Sequence, residues 1–441
     1  MKKLIDYIKE HVLVKLMTLK TALVFVKIFA GVLTSKAIAI IIGPVGFALI
    51  GNLENFVSAF HNISVFGAYN TVVKYVAQFK EDAKLLSKTL STVFYVGFIS
   101  SITVSMLCYL NAETINNFIF PEYNNYAYII QIFAIALPFY AINMYSFSIM
   151  NGFGKYKAMC QINIVGQLLS VSIALVLIYQ SKIDGALISV VISESLIFLI
   201  TLVGIFNRRS LANLLQVKNI SFDIFKKMWP ISIMALFSAV IMPLVAICIR
   251  SYIIDDLGYK EAGLWEAMNR VSRYYLMLVM SVIGMSILPR LSKITNIKKF
   301  RKEISAYYKI LIPILVAGFL LIYALKAPII SLIFTNEFEP VENLFLWQLL
   351  GDFVKILAVI IAYQFLAKKM FWHYILTQLF LVVILYITSV YFIDVFGGVK
   401  GAVFAHFVSY LMYFGIVILL LWSSLFGIDS NEISLGKNHN K

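Results

Sequence analysis

The sequence predicts an all-α polytopic membrane protein, and three observations support this fold class. Of its 441 residues, 61% are hydrophobic and only 13% are charged, with a mean hydropathy of +0.88; soluble domains average about half apolar and a quarter charged residues. Apolar runs of roughly 20 residues, long enough to cross about 30 Å of hydrocarbon, recur along the whole chain. Lys and Arg concentrate in alternate connections between these runs, as expected for cytoplasmic loops.

Twelve spanning helices are predicted. They lie near residues 21–41, 47–72, 87–110, 126–150, 158–179, 184–206, 228–250, 262–288, 310–325, 344–366, 372–392 and 399–426. Charges punctuate the first twenty residues, which therefore predict an amphipathic lead-in at the membrane surface rather than a cleavable signal. The predicted organisation is a cytoplasmic lead-in (1–20), a six-helix bundle (21–207), a cytoplasmic linker (208–227), a second six-helix bundle (228–426) and a cytoplasmic tail (427–441).

The distribution of basic residues predicts that both termini are cytoplasmic. Of the 37 Lys and Arg, 27 lie in the N-terminus, alternate connections and tail, whereas the opposite connections contain only four. The net charge of +15 is therefore mainly a topology signal, and we expect no nucleic-acid partner. The basic run 290–302 would also attract anionic lipid headgroups, although a positive-inside loop is the simpler interpretation.

The two predicted bundles resemble an internal repeat. Two sets of residues match at one constant offset in the second helix of each half: Gly46, Asn52 and Gly67, and Gly263, Asn269 and Gly284. Both halves begin in the cytoplasm, so the repeat would be parallel about the membrane normal. Such repeats place a substrate path in a central cavity between the bundles.

Charged side chains inside the spans are the candidate functional residues, because a charge at mid-bilayer costs roughly 2.5–3.5 kcal/mol and usually faces a cavity or a partner. Basic residues outnumber acidic ones. The bases are Lys27, Lys36, Arg250, Arg270, Arg273 and Lys355, and the acids are Glu54, Glu194, Glu266 and Asp352.

The predicted eighth helix carries a polar face made of Glu266, Asn269, Arg270 and Arg273, which follow helical three- and four-residue spacing. Glu266 and Arg270 could neutralise each other, which would still leave Arg273 as a surplus cation. We expect this face to bind substrate or to gate its path.

The remaining candidates are less constrained by pattern. Asp352 and Lys355 form either a structural ion pair or a functional site on the tenth helix, beside Gly351, where backbones can approach. Lys27 is expected to face the cavity. Lys36 would face either the cavity or, by snorkelling, the outer interface.

Three further polar residues complete the predictions. Glu54 and Asn52 form a polar patch on the second helix, and Glu54 could couple transport to an ion or pair with a base. Arg250 ends its predicted helix and is expected to anchor that end at the interface. Surplus Arg and Lys in a low-dielectric cavity would suit a diphosphate, because guanidinium groups bind phosphate oxygens in bidentate geometry.

Enzyme chemistry is not predicted. The sequence contains no GxxxxGK[ST], HExxH or GxSxG motif and no cysteine–histidine pattern, so we expect no ATP motor, metal or cofactor. The predicted outward loops are also too short for the exposed acid/base site of an oligosaccharide polymerase or ligase.

Six short runs occur in order along the chain: Gly43-Pro44-Val45-Gly46, Gly51-Asn52, Lys74-Tyr75-Val76-Ala77-Gln78, Gly263-Leu264-Trp265, Leu288-Pro289-Arg290-Leu291-Ser292, and Trp347-Gln348-Leu349-Leu350-Gly351-Asp352 continuing to Lys355. With these runs the chain resembles the Wzx family of lipid-linked oligosaccharide flippases, and the resemblance spans nearly the whole chain. The resemblance implies the multidrug/oligosaccharidyl-lipid/polysaccharide exporter fold and a cavity role for Lys27, Lys36 and Asp352. Glu266, Arg270 and Arg273 remain candidates from physical arguments only.

The resemblance implies a flippase that moves undecaprenyl-diphosphate-linked O-antigen units from the cytoplasmic to the periplasmic leaflet. We expect alternating access, with Glu54 or Asp352 as candidates for coupling the step to an ion gradient. Alternatives are a flippase for the lipid III unit of enterobacterial common antigen, a multidrug antiporter, a polymerase or ligase, or a structural scaffold. The implied partners are the lipid-linked oligosaccharide, the bilayer, an O-antigen polymerase and a chain-length regulator.

Overall fold

The structure, a computed structural model, describes residues 2–205, 216–294, 296–368, 370–422 and 425, with residues 2–20 described as helix only. Residues 208–215 of the predicted linker and the predicted tail 427–441 lie outside these residues. Within the described part the chain forms fourteen α-helices and contains no strand. They are α1 (Lys2–Ile41), α2 (Pro44–Ser64), α3 (Tyr69–Phe79), α4 (Ala83–Leu110), α5 (Ala112–Ile119), α6 (Ala127–Gly152), α7 (Tyr156–Ile205), α8 (Phe222–Leu257), α9 (Tyr259–Lys293), α10 (Ile297–Ala324), α11 (Lys326–Ile333), α12 (Phe345–Ala367), α13 (Phe371–Phe396) and α14 (Lys400–Leu420).

The helices confirm the predicted all-α membrane fold. In the described residues, nine helical segments are long and apolar enough to cross a bilayer. One of them is α7, which breaks at Lys182 (φ 49°, ψ −118°), where the sequence predicts a connection between two spans. A double crossing by α7, together with crossings by α2–α3 and the more polar α9, is consistent with the predicted twelve.

The predicted single helix over 47–72 is wrong, because the chain turns between α2 and α3. Phe66 and Gly67 both adopt positive φ, at 55° and 58°. A Cβ on Gly67 would lie 2.9 Å from the backbone nitrogen of Leu236, so glycine permits this close approach. The predicted ninth span, 310–325, is the second half of the longer helix α10.

Two compact units make up the chain. The N-terminal unit contains Met1–Ile42 and Leu49–Ile247, and the C-terminal unit contains Gly43–Ala48 and Cys248–Lys441. The boundary falls inside α8, and the first turn of α2 belongs to the C-terminal unit. We propose that residues 21–207 and 228–426 form the two six-helix bundles that the sequence predicts.

Small residues allow close helix packing within each unit. In the N-terminal unit, Gly152 of α6 faces Val76 of α3, and a Cβ there would meet the Val76 side chain at 2.6 Å. In the C-terminal unit, Gly351 of α12 lies against Phe407 of α14, where an added Cβ would meet backbone atoms at 3.1 Å. Packing of this kind drives helix association in lipid, where apolar burial contributes little.

Candidate substrate site

Helix α9 brings Glu266, Arg270 and Arg273 together, as the spacing predicts. The chain enters this helix through Gly258, whose φ is +87°. The Glu266 side chain is fully buried and accepts a hydrogen bond from Arg273 Nη2 at 2.6 Å. Arg270 Nε lies 3.5 Å from the same carboxylate oxygen, Oε1. Glu266 is therefore the centre of an ion-pair cluster.

Arg250 is a further member of this cluster, and its prediction as an interface anchor is wrong. Helix α8 does not end at Arg250 but continues to Leu257, so the guanidinium lies within the helical bundle. Its side chain is only 1% exposed and donates a hydrogen bond to Glu266 Oε2. The guanidinium carbon also lies 5.2 Å from the Trp265 ring centroid, a cation–π contact.

Three guanidinium groups surround the Glu266 carboxylate, and Arg270 additionally lies over the Phe47 ring at 5.0 Å. Arg250 and Arg270 are buried, whereas Arg273 is 45% exposed. A guanidinium has five N–H donors in a fork that suits carboxylate and phosphate oxygens, and Arg273 is the most exposed of the three arginines.

A second polar network surrounds Asp352 on α12. Its buried carboxylate accepts hydrogen bonds from Ser272 and Tyr275 of α9, each at 2.5 Å. Gln348 donates one turn earlier on α12 at 3.2 Å, and His406 Nε2 of α14 lies 3.0 Å from Oδ1. This network satisfies the charge of Asp352 and links three helices, since each donor comes from α9, α12 or α14.

Lys355 lies one turn after Asp352 and is associated with the same network. Its ammonium group is 5.2 Å from the centroid of the Tyr410 ring on α14. Gly351, which the sequence predicts as a point of close approach, indeed leaves room for His406 and Phe407. An ion pair and a functional site both remain compatible with this arrangement.

The other predicted site residues lie on different helices. Asn52 of α2 is buried and donates to the Ile119 carbonyl of α5 at 2.9 Å, so it has a clear structural role. Glu54 is half-buried on α2, and Lys27 and Lys36 are half-buried on α1, all in the N-terminal unit. Asn269 is half-buried on α9 in the C-terminal unit.

Comparison with known proteins identifies the family to which the chain belongs. The model of the polysaccharide biosynthesis protein family matches residues 37–343. The chain belongs to this family. Its relatives include lipid III flippases of Escherichia coli (strain K12) and Shigella flexneri, each 26% identical over 403 residues that cover 90% of this chain and 95% of the relative.

Solved structures confirm the predicted exporter fold for this family member. An inward-facing multidrug resistance MATE family transporter of the MOP superfamily has a TM-score of 0.66 and 14% identity, covering 92% of this chain and 95% of its own. A MOP superfamily transporter from Pyrococcus furiosus has a TM-score of 0.69 and 12% identity, covering 93% and 96%. These relatives are flippases and transporters, not enzymes.

The sequence does not predict several residues of the polar networks around Glu266 and Asp352. Gln348 could have been found, because it precedes Asp352 by one helical turn. Ser272 and Tyr275 also share a helical face. His406, Tyr410 and the pairing of Arg250 depend on contacts between helices, for which local spacing gives no signal. In the described part of the chain, no group of three metal-ligating side chains lies together.

Proposed function

We propose that the chain is a flippase for an undecaprenyl-diphosphate-linked oligosaccharide of the lipid III type in a bacterial inner membrane. The relatives favour the lipid III alternative over the O-antigen unit. Both are named lipid III flippases, and the match to this chain covers nearly their whole length. The single structural observation that supports a diphosphate cargo is the arginine-rich cluster around Glu266.

In the proposed mechanism, the diphosphate binds to cations while the polyprenyl tail stays in lipid. Arg273 is the best candidate for direct contact because it is partly exposed, and Arg270 supports it from a buried position. We assign Lys27, Lys36, Lys355, Asn52 and Asn269 as further substrate-binding candidates. Alternating access would then carry the headgroup across the membrane.

The acids have distinct proposed roles. Glu266 holds the three arginines in place, so we assign it an ion-pair role. Asp352, with His406 Nε2 at 3.0 Å from it, suits ion coupling better, because carboxylate and imidazole groups inside membrane helices serve as proton carriers in transporters. Glu54 remains a second coupling candidate. The proposal also places both termini in the cytoplasm. Its proposed protein partners are an O-antigen polymerase and a chain-length regulator.

The test is transfer of a lipid-linked oligosaccharide across vesicles that contain the purified protein. Arg273→Gln should reduce transfer by about ten- to hundred-fold, the loss of one charge-assisted contact of roughly 1.5–3 kcal/mol. Arg290→Gln is the matched control, since Arg290 is 65% exposed and pairs with Glu303 at 3.0 Å at the far end of α9.

The outcome separates the candidate functions. Full transfer by Arg273→Gln, Arg270→Gln and Lys27→Gln would overturn the cationic-site proposal. Efflux of ethidium by the wild-type protein, without transfer of the lipid-linked sugar, would instead identify a multidrug antiporter.

A further inference from the structure

Glu194 is an acid within a predicted span to which the proposed mechanism gives no role. It lies on α7 after the break at Lys182, and its side chain is half-buried. A carboxylate inside membrane helices is rare and marks a functional site that has an ionic partner. Lys27, a half-buried base of α1, belongs to the same N-terminal unit. Among the described residues, neither Glu194 nor Lys27 takes part in an ion pair.

The Glu194 carboxylate lies inside the helical bundle and not against lipid. It interacts electrostatically with the hydroxyl group of Tyr140 on α6, a side chain that is only 7% exposed. The next residue, Ser195, donates a hydrogen bond to the Ala136 carbonyl of α6 at 2.8 Å. This part of α7 is therefore fixed against α6, with Glu194 directed towards buried side chains.

One core cluster sets Lys27 and Glu194 at nearly the same level. Ile197 of α7 belongs to a buried cluster, against which Leu23 of α1 packs. The helices α1 and α7 also pack directly against each other. Lys27 follows Leu23 by four residues, and Glu194 precedes Ile197 by three. Each charged residue is thus about one helical turn away from the shared cluster.

On α7, the step from Ile197 back to Glu194 leads away from the turn between α6 and α7, beside which the cluster lies. The part of α7 after its break folds back on the part before it. Gly166 packs on Ile197, and Ser170 donates a hydrogen bond to the Ser193 carbonyl at 2.9 Å. Earlier residues after the break therefore lie farther from that turn.

On α1, the step from Leu23 to Lys27 leads in the same direction. Helix α1 continues from the cluster to Ile41, and α2 begins at Pro44. The chain comes back to the cluster only at Tyr69 of α3. Helix α1 therefore runs away from the cluster while α2 and α3 return to it.

Helical geometry makes Lys27 and Glu194 neighbours in the bundle. At 1.5 Å per residue, they lie about 6 Å and 4.5 Å beyond the cluster along their helices. At 100° per residue, they are turned by only about 40° and 60° from Leu23 and Ile197, which pack on that cluster. A lysine side chain is long and flexible, so small movements of α1 against α7 would bring the two charges together.

We propose that Glu194 is a release group for the anionic cargo, which pairs with Lys27 in another state of the transport cycle and displaces the diphosphate. The inference rests on the proposed function, in which Lys27 binds the diphosphate. The two charges are apart in this structure, which therefore corresponds to a state that accepts cargo. An ion pair formed in only one of two states makes the affinity for cargo differ between them, and alternating access requires such a difference.

Transfer of a lipid-linked oligosaccharide, measured against cargo concentration, tests the release role. Glu194→Gln should lower the maximal rate about tenfold and also lower the half-saturating concentration, because cargo binds but leaves slowly. Lys27→Gln should raise the half-saturating concentration instead. Asp223→Asn removes an exposed acid from the first turn of α8 and should change neither quantity. An unchanged maximal rate for Glu194→Gln, or a raised half-saturating concentration, would overturn the proposal.

Cross-linking tests the pairing without any transport measurement. The variant Lys27→Cys/Glu194→Cys is made in a full-length protein whose three native cysteines are replaced by alanine. A short bifunctional thiol reagent should join this pair about fivefold or more better than the control pair Lys27→Cys/Leu199→Cys, as measured by peptide mass spectrometry. Leu199 is 53% exposed and lies about 140° around α7 from Glu194.

The two measurements separate this inference from the proposed function. Equal cross-linking of the Glu194 and Leu199 pairs, with normal transfer by the unmodified protein, would overturn the pairing alone. Efficient cross-linking of the Glu194 pair without any transfer by the unmodified protein would refute the proposed function and, with it, the release role.

Discussion

Replacing Glu266 by glutamine removes the buried carboxylate that pairs with Arg250, Arg270 and Arg273. Both Glu266 and Arg250 are essentially inaccessible, at 0% and 1% exposure. Removing one partner of a buried ion pair costs about 3–5 kcal/mol, because that pair no longer offsets the desolvation of the remaining charge. Arg273 adds little to this cost, since it is 45% exposed and exposed pairs contribute roughly 0–1 kcal/mol.

Thermal unfolding of the purified protein in detergent measures this cost. For a cooperative unit of about 200 residues, 1 kcal/mol shifts Tm by roughly 2–4 °C, so Glu266→Gln should lower Tm by about 6–20 °C. Adding Arg250→Gln should recover part of the loss, giving a coupling energy of about 0.5–3 kcal/mol between the two sites. Glu303→Gln, which breaks the exposed Arg290 pair, is the control and should shift Tm by less than about 4 °C.

Two results would refute this reasoning. A shift for Glu266→Gln as small as that for Glu303→Gln would mean that the cluster is solvated. Strict additivity of Glu266→Gln and Arg250→Gln would mean that their contact contributes nothing, whatever the individual losses.

Three further substitutions test other parts of the fold and site. Gly351→Val should destabilise the protein by about 1–3 kcal/mol through overpacking against α14, whereas Gly318→Val, with open space around it, should be near neutral in thermal unfolding. Asn52→Leu should cost about 1–3 kcal/mol, because the Ile119 carbonyl loses its donor, and an unchanged Tm would contradict that role. Asp352→Asn should abolish the pH dependence of oligosaccharide transfer while the protein stays folded, and a retained pH profile would exclude it from coupling.

Much of the fold could be predicted from sequence because the bilayer imposes a fixed length of apolar residues on each span. The same constraint gives no information on breaks within a span. The turn at Phe66 and Gly67 was missed because glycine is frequent in spanning helices, and this one differs only in its contact with Leu236. The short helix α5 was also missed, since eight residues are too few for a clear pattern.

The candidate site was predictable to the extent that it follows one helix. Glu266, Arg270 and Arg273 share a face of α9 because of helical periodicity alone. Arg250 and His406 come from other helices, and only packing brings them to Glu266 and Asp352. Predicting Arg250 as an anchor failed because the end of α8 was placed seven residues too early.

Because the boundary between the two units lies within α8, a break in the linker does not divide the protein into its two units. Ser232 and Leu236 follow the predicted linker, yet they belong to the N-terminal unit, where Ser232 bonds Thr71 at 3.1 Å. Reciprocally, Phe47 comes from the first half of the chain but packs on Phe334 and Phe338 in the C-terminal unit.

Each unit is thus completed by a segment from the other half of the sequence. Two fragments expressed separately from a break in the 208–227 loop would each lack a piece of their own core, and co-expression would be needed to restore both.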